Sequence, residues 1–249
     1  MKMIILAAGQ GTRLRPLTNT KPKCMVEYNE KPIIDYILEV ADSCNIKDIA
    51  IVNGYKKDVL QDYLKYQNIT YFTNINYHKT NMVSTLFCAK DFMDDDLIIS
   101  YADIVYKKEI LEKVVNANGD FNVVIDKKWR ELWSLRMENP LNDAETLKIE
   151  DGKIVELGKK PKSYDDIEGQ YIGVIKISKQ AIHKVIKYYK SLDKNKLYDG
   201  NSFDNMYMTS FIQMIIDNLM DVTPVYINGG WIEIDSVEDL ISTQSYLKI

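Results

Sequence analysis

Leu6-Ala7-Ala8-Gly9-Gln10-Gly11-Thr12-Arg13-Leu14-Arg15-Pro16-Leu17-Thr18 continues directly from an apolar opening that starts at Lys2. The run from Lys2 to Ala8 predicts a strand, and Gly9 and Gly11 then predict a tight turn whose backbone N–H groups can face an anion. Arg13 sets a guanidinium fork beside that turn. Charge-assisted hydrogen bonds converging on a triphosphate there would each contribute roughly 1.5–3 kcal/mol. Other phosphate motifs fit poorly. Leu14 stands where a GxGxxG pattern needs its third glycine, and Val52-Asn53-Gly54 closes the next strand without an acid for a ribose, which disfavours a nicotinamide dehydrogenase. The GxxxxGK[ST] pattern of common ATPases is absent.

Outward from this opening, short β-branched runs alternate with helical patterns. Ile33, Ile34, Ile37, Leu38 and Ala41 recur at helical spacing over Pro32–Cys44, a strand follows over Asp48–Val52, an amphipathic helix over Lys56–Tyr66, and a short strand over Ile69–Phe72. That rhythm predicts a parallel sheet covered on both faces, a Rossmann-like three-layer α/β fold. Leu97 to Ala102 reads as a buried strand that delivers Asp103 to its carboxyl end, where open α/β sheets bind ligands. After a strand over Phe121–Ile125, hairpin-like pieces are expected between Trp133 and Leu157, with Asp151-Gly152 as a tight turn. Tyr171–Ile177 reads as a strand and Lys179–Lys190 as a helix. Phe203, Met206, Tyr207, Phe211, Met214 and Ile215 then form one core-facing stripe of a further helix. Two strands, Val222–Ile227 and Gly230–Ile234, precede a terminal helix.

The 249 residues are 46% hydrophobic and 10% aromatic, enough for one large domain spanning residues 1–249. Against 36 Asp and Glu stand 32 Lys and Arg, a net charge of -4 that supplies no global field for nucleic acid. No apolar run is long enough for a secretory signal or a membrane span, so a cytoplasmic protein is expected, with neither membrane nor nucleic acid as partner. Cys24, Cys44 and Cys88 are odd in number and widely spaced, and only His78 and His183 could join them, which argues against a disulfide framework or a zinc site.

Lys21-Pro22-Lys23 places two cations shortly after the glycine turn, held stiffly by the proline. Read alone this is a solvated turn. Read with Leu6 to Thr18 and with Lys31-Pro32, it closely resembles the signature of the small sugar-phosphate and choline-phosphate nucleotidyltransferases, and the likeness runs over nearly the entire chain. The resemblance implies a Mg²⁺-dependent cytidylyltransferase that joins CMP from CTP to a small phosphorylated acceptor. It implies that Leu6, Ala7, Ala8, Gly9, Gln10, Gly11 and Thr12 hold the nucleotide, with Lys23 and Arg13 acting on its phosphates. Gly54 and Tyr55 would approach the base, and Asn81 and Ser84 would touch base or ribose. Asp103 and Asp235 would hold the metal. Relatives often carry a second acid two residues before the first metal ligand, whereas this chain has Tyr101. Both aspartates also have capping readings, Asp103 for the next helix and Asp235 with Glu238 as a capping box.

The acceptor side falls in a predicted insertion over residues 127–170. Lys127, Lys128 and Arg130 interleave there with Trp129 and Trp133, and Tyr171 follows Glu168. An acceptor bearing a carboxylate calls for Arg or Lys, a trimethylammonium for an aromatic and acidic cage. Arg130, Trp133, Glu168 and Tyr171 are the candidate substrate contacts. At its most specific, the resemblance implies an acceptor with a phosphorylated side-chain amide and a free amino-acid end, used in modifying capsular polysaccharide. Phosphocholine, aminoethylphosphonate and sugar-1-phosphate acceptors, the last with UTP or dTTP, are the alternatives within the class. A nucleotide-binding regulatory module is the alternative outside it.

Overall fold

Along the first strand, Met3, Ile5 and Ala7 point into one buried cluster and Ile4 and Leu6 into another. This period-two alternation of apolar residues on both faces demands cover on both sides, and the computed structural model, which describes residues 1–247, supplies it. Seven strands form the central sheet in the order Thr223–Ile227, Phe121–Asp126, Gln170–Ile177, Leu97–Tyr101, Lys2–Ala7, Asp48–Asn53, Ile69–Thr73. Six run the same way. Gln170–Ile177 lies antiparallel to both its neighbours, which the βαβ rhythm does not anticipate.

One face is covered by Ile33–Ser43, Lys108–Val115 and Trp129–Arg136, through Ile33, Ile34, Ile37, Ile110, Leu111, Val114, Trp129 and Leu132. Met82–Phe87, Lys179–Ser191 and Met208–Asn218 cover the other through Val83, Leu86, Ile182, Val185, Phe211 and Ile215. The three-layer α/β architecture read from the sequence is therefore the observed one. No helix among the described residues is long and apolar enough to cross a membrane.

Two local expectations are corrected. The residues just after Phe121–Asp126 form a helix, Trp129–Arg136, because Trp129, Leu132 and Trp133 recur at i, i+3 and i+4 and bury together. The hairpin comes later, Leu147–Glu150 with Lys153–Leu157, and Asp151 and Gly152 at its turn both take positive φ, as a two-residue turn of that hand requires. The last sheet-covering helix starts only at Met208. Tyr207 precedes it as its cap residue and is 52% exposed, so it leaves the core stripe.

The carboxyl ends of the parallel strands and the amino end of Gln170–Ile177 share one rim. Asp126, fully buried there, accepts hydrogen bonds from Lys128 N and Gly229 N and from the Trp231 indole Nε1, all at 2.8 Å. It thereby ties the end of its strand to the loop that leads into Trp231–Glu233. Asp126→Ala would leave three donors, the buried Trp231 indole among them, without their acceptor and is expected to lower stability by about 2–4 kcal/mol in urea unfolding. A loss below about 1 kcal/mol would show that water replaces the carboxylate there.

Candidate active site

The first strand ends at Ala7, and the chain turns through Gly9 and Gly11 before a short 3₁₀ turn, Thr12–Leu14. Gly11 has φ +60°, and a Cβ on it would come within 3.0 Å of the Lys23 Cβ. Glycine is therefore required for the loop and the lysine to pack side by side. Thr18 Oγ1 donates to Gly11 O at 2.8 Å and closes the loop. At the next strand end, a Cβ on Gly54 would lie 2.9 Å from Ala8 O, and the close approach lets Tyr55 N donate to that same carbonyl at 3.1 Å.

Asp103 and Asp235 meet because their neighbours form a small ladder. Trp231–Glu233 pairs antiparallel with Ile104–Tyr106, Glu233 opposite Ile104, and Ile234 N donates to Asp103 O at 2.9 Å. Asp103 is followed by that strand and caps no helix. Nor does Asp235 cap the terminal helix Val237–Thr243, whose capping box is Ser236 with Asp239, one residue later than the Asp235–Glu238 pattern suggests. This shift frees the Asp235 side chain to point into the site.

Lys23 Nζ sits between them, 2.6 Å from Asp103 Oδ2 and also bonded to Asp235 Oδ1, while Arg13 reaches Asp235 Oδ2 at 2.9 Å. Burial acts to lower the Lys23 pKa, but attraction to Asp103 and Asp235 outweighs it and the ammonium is held well above its ordinary value. Burial likewise acts to raise the Asp235 carboxyl, and the charges of Lys23, Arg13 and Arg136 hold it below the usual carboxylate range instead.

Beneath this cluster lies Arg136, its side chain 1% exposed, bonded to Glu233 at 2.6 Å and to Asp239 at 2.8 Å, with Asp235 at 3.7 Å. Burial and repulsion from Asp235 push Glu233 up to about 7 despite that arginine. Neither Arg136 nor Glu233 carries a local motif that marks it. Arg136→Ala would strip two buried carboxylates of their counter-charge and is expected to destabilise the fold by about 3–5 kcal/mol in denaturant titration. A change under about 1 kcal/mol would mean the arginine is dispensable.

Above the cluster opens a cavity of about 500 Å³. Gly9, Gly11, Thr12, Arg13 and Lys23 line one side, and Asn81 borders it. Asn81 caps the helix Met82–Phe87 by accepting from Met82 N at 2.8 Å, and its own N–H donates to Asp204 O. Ser84 Oγ donates to the same Asp204 carbonyl and does not line the cavity. Leu6, Ala7, Ala8, Gln10, Gly54 and Tyr55 do not line the cavity, and Tyr55 instead donates its hydroxyl to Thr18 O at 3.0 Å.

On the opposite side the cavity is walled by Tyr101, Trp133, Tyr171, Tyr207 and Trp231, with Asp143 and Glu145 between them. Trp133 and Tyr171 therefore reach the cavity, whereas Arg130 and Glu168 do not. Arg130 stacks on the Tyr164 ring at 3.7 Å, and Glu168 accepts from Ile149 N at 2.9 Å, bracing the hairpin. Asp143 and Glu145 carry no local signal that sets them apart from solvated acids, and Tyr207, whose spacing reads as part of a core stripe, lines the cavity instead.

Glu145 is pushed up to about 7, chiefly by burial, with Asp143 adding to it and a hydrogen bond from Thr209 opposing it. A carboxyl raised above its ordinary value of 4.5 contributes stability that is complete below that value and is lost as pH rises through about 7. Glu145→Gln removes this loss. Its melting temperature is expected to gain on that of the unsubstituted protein between about pH 5 and about pH 8. A pH-independent difference would contradict the burial argument.

The residues fit a divalent cation. Single carboxylate oxygens of Asp103, Glu233 and Asp235 lie within 4.8 Å of one another, and Asp103 Oδ1 is buried without a hydrogen-bond partner. An all-oxygen set of this kind suits a hard ion.

A glycine turn, a buried lysine and paired carboxylates at the carboxyl rim of a three-layer α/β sheet define a site for activating a nucleotide phosphate. The chain belongs to the nucleotidyl transferase family, whose pattern matches residues 2–244. It is 53% identical over 247 residues to a protein of Campylobacter jejuni named CTP:phosphoglutamine cytidylyltransferase, covering 96% of this chain and 98% of that one. A choline-phosphate cytidylyltransferase of Streptococcus pneumoniae is 28% identical over 253 residues, covering 100% of this chain and 99% of the relative. The solved structure of the CTP:phosphocholine cytidylyltransferase of Streptococcus pneumoniae superposes with a TM-score of 0.72 at 25% identity, covering 99% of both chains.

Proposed function

We propose that this protein transfers CMP from CTP to the phosphoryl group of L-glutamine phosphate and releases pyrophosphate. The observation that carries the reading is the 53% identity, over 98% of its length, to a relative named for that reaction. In this reading residues 1–249 form one catalytic domain, with residues 127–170 supplying the acceptor side. It also takes Mg²⁺ as the metal, the cytoplasm as the location and capsular polysaccharide modification as the use of the product.

An oxygen of the acceptor's phosphoryl group attacks the α-phosphorus of CTP. A new P–O bond forms as the bond from the α-phosphorus to the bridging oxygen breaks, and the electron pair leaves with pyrophosphate. The attacking oxygen is already ionised near neutral pH, so no general base is needed, and positioning and electrostatics supply the acceleration. The backbone of Gly9–Thr12 cradles the phosphates, Arg13 adds a fork at their edge, and Lys23 meets the charge that grows on the α-phosphate. Asp103 and Asp235, with Glu233 beside them, would hold Mg²⁺, which when bound offsets triphosphate charge.

Pyrophosphate release, measured with CTP, UTP, ATP, GTP and dTTP against L-glutamine phosphate, phosphocholine, aminoethylphosphonate and glucose 1-phosphate, tests the reading. Turnover confined to CTP with L-glutamine phosphate is expected. Turnover of UTP or dTTP with the sugar phosphate would move the protein to another branch of the family. Lys23→Ala is expected to lower kcat on the order of 10²–10³-fold, as loss of one charge-stabilising donor does. Unchanged turnover would remove Lys23 from the mechanism.

A further inference from the structure

The two sides of the cavity differ in charge. Arg13 and Lys23, the cations that line it, are both paired with Asp235, and Lys23 with Asp103 as well, while the far side holds Asp143 and Glu145 with no cation of the lining paired to them. The arginine nearest that far side, Arg136, is already engaged by Glu233 and Asp239. Arg130, which could have received a carboxylate, is stacked on Tyr164 outside the lining.

Glu145 is the best placed of these acids. Its backbone is clasped by the buried Gln170, whose Oε1 accepts from Glu145 N at 3.0 Å and whose Nε2 donates to Glu145 O. Its Oε1 accepts from Thr209 Oγ1 at 3.3 Å, and no lysine or arginine pairs with it among the described residues. Asp143, by contrast, is occupied by the Trp133 indole at 3.0 Å and is exposed. The neighbouring wall is aromatic, Tyr101 meeting Tyr171 edge to face at 5.7 Å and Trp133 lying 5.9 Å from Trp231. A fixed, half-satisfied carboxylate among aromatic faces is complementary to an ammonium, and neither to a second carboxylate nor to an uncharged polyol.

We infer that Glu145 is the specificity-determining residue for the acceptor, binding the ammonium at the end of the acceptor remote from its phosphoryl group. The inference rests on the cytidylyltransferase reading above and names the feature of the acceptor that this site selects. The elevated pKa of the Glu145 carboxyl agrees with it, since an ammonium would supply the counter-charge that burial leaves missing. The acceptor's carboxylate is then read weakly or left toward solvent.

The test is a comparison of kcat/KM, with CTP and Mg²⁺, for L-glutamine phosphorylated on its side-chain amide, the same compound lacking the α-amino group, and the same compound lacking the α-carboxylate. Loss of the amine is expected to lower kcat/KM on the order of 10²-fold, the effect of unpairing a buried charge, and loss of the carboxylate by less than about tenfold. Glu145→Gln, whose amide oxygen still accepts from Thr209, is expected to shrink the discrimination between the amine-bearing and amine-free compounds to about threefold, through KM rather than kcat. Glu145→Asp should restore part of it. Equal use of the first two compounds by the unsubstituted protein would overturn the inference, as would a Glu145→Gln effect that is the same on all three. If the parent compound is not turned over with CTP, the functional reading fails first, and phosphocholine and aminoethylphosphonate against glucose 1-phosphate decide the ammonium inference separately. Turnover of either amine with a KM sensitive to Glu145→Gln sustains it. Turnover of the sugar phosphate, or of none of them, sinks it.

Discussion

A lysine ammonium held between two carboxylates, 80 and 212 residues away in sequence, is the interaction on which this site depends. Lys23, Asp103 and Asp235 each come from a different strand end or loop, and each would be expensive to bury alone. Together they neutralise one another, with Arg13 at the open edge and Arg136 beneath. The requirement that these charges meet constrains the backbone for some distance around. Gly11 must lack a Cβ so that Lys23 can pass, the Asp103–Ile234 hydrogen bond must close the ladder, and Asp126 must hold the loop that returns the chain to Trp231. The charge cluster has a functional counterpart, because a lysine and a pair of carboxylates are the groups needed to receive a phosphate and a divalent cation.

The cavity beyond this cluster is chemically asymmetric, and the asymmetry follows from which chain segments build each wall. One side is the glycine turn after the first strand with Arg13 and Lys23, the two cations paired with Asp103 and Asp235. The opposite side is built by Trp133 of the helix Trp129–Arg136, by Asp143 and Glu145 just ahead of the hairpin, and by Tyr171 of the antiparallel strand Gln170–Ile177. In the proposed reading the first wall receives the nucleotide and the second the acceptor, in keeping with function residing in sites grafted on a shared fold.

The parts legible in the sequence were those whose signal is local. The glycine turn, Lys23 after its proline, and a strand delivering Asp103 could be read because each is a contiguous motif, and the alternation of strand and helix patterns along the chain disclosed a sheet covered on both sides. Asp235–Glu238 and Ser236–Asp239 both have the spacing of a capping box and nothing local chooses between them; the structure holds the second, with Asp239 also bonded to Arg136. The helix at Trp129 was missed because its apolar stripe is short, and Tyr207 was assigned to the core because its spacing matches a helix that begins one residue later. Arg136, Glu233 and Glu145 were invisible for a different reason. Their meaning is set by neighbours about 100, 130 and 64 residues away, which no window along the chain contains.

The most direct measurement is anomalous diffraction from crystals of this protein grown with CTP and Mn²⁺ in place of Mg²⁺. The account predicts a manganese peak bounded by the side chains of Asp103 and Asp235, with Lys23 Nζ released from at least one of them and directed at the α-phosphate. A metal bound away from these carboxylates, or a Lys23 still bonded to both while the triphosphate lies elsewhere, would contradict it.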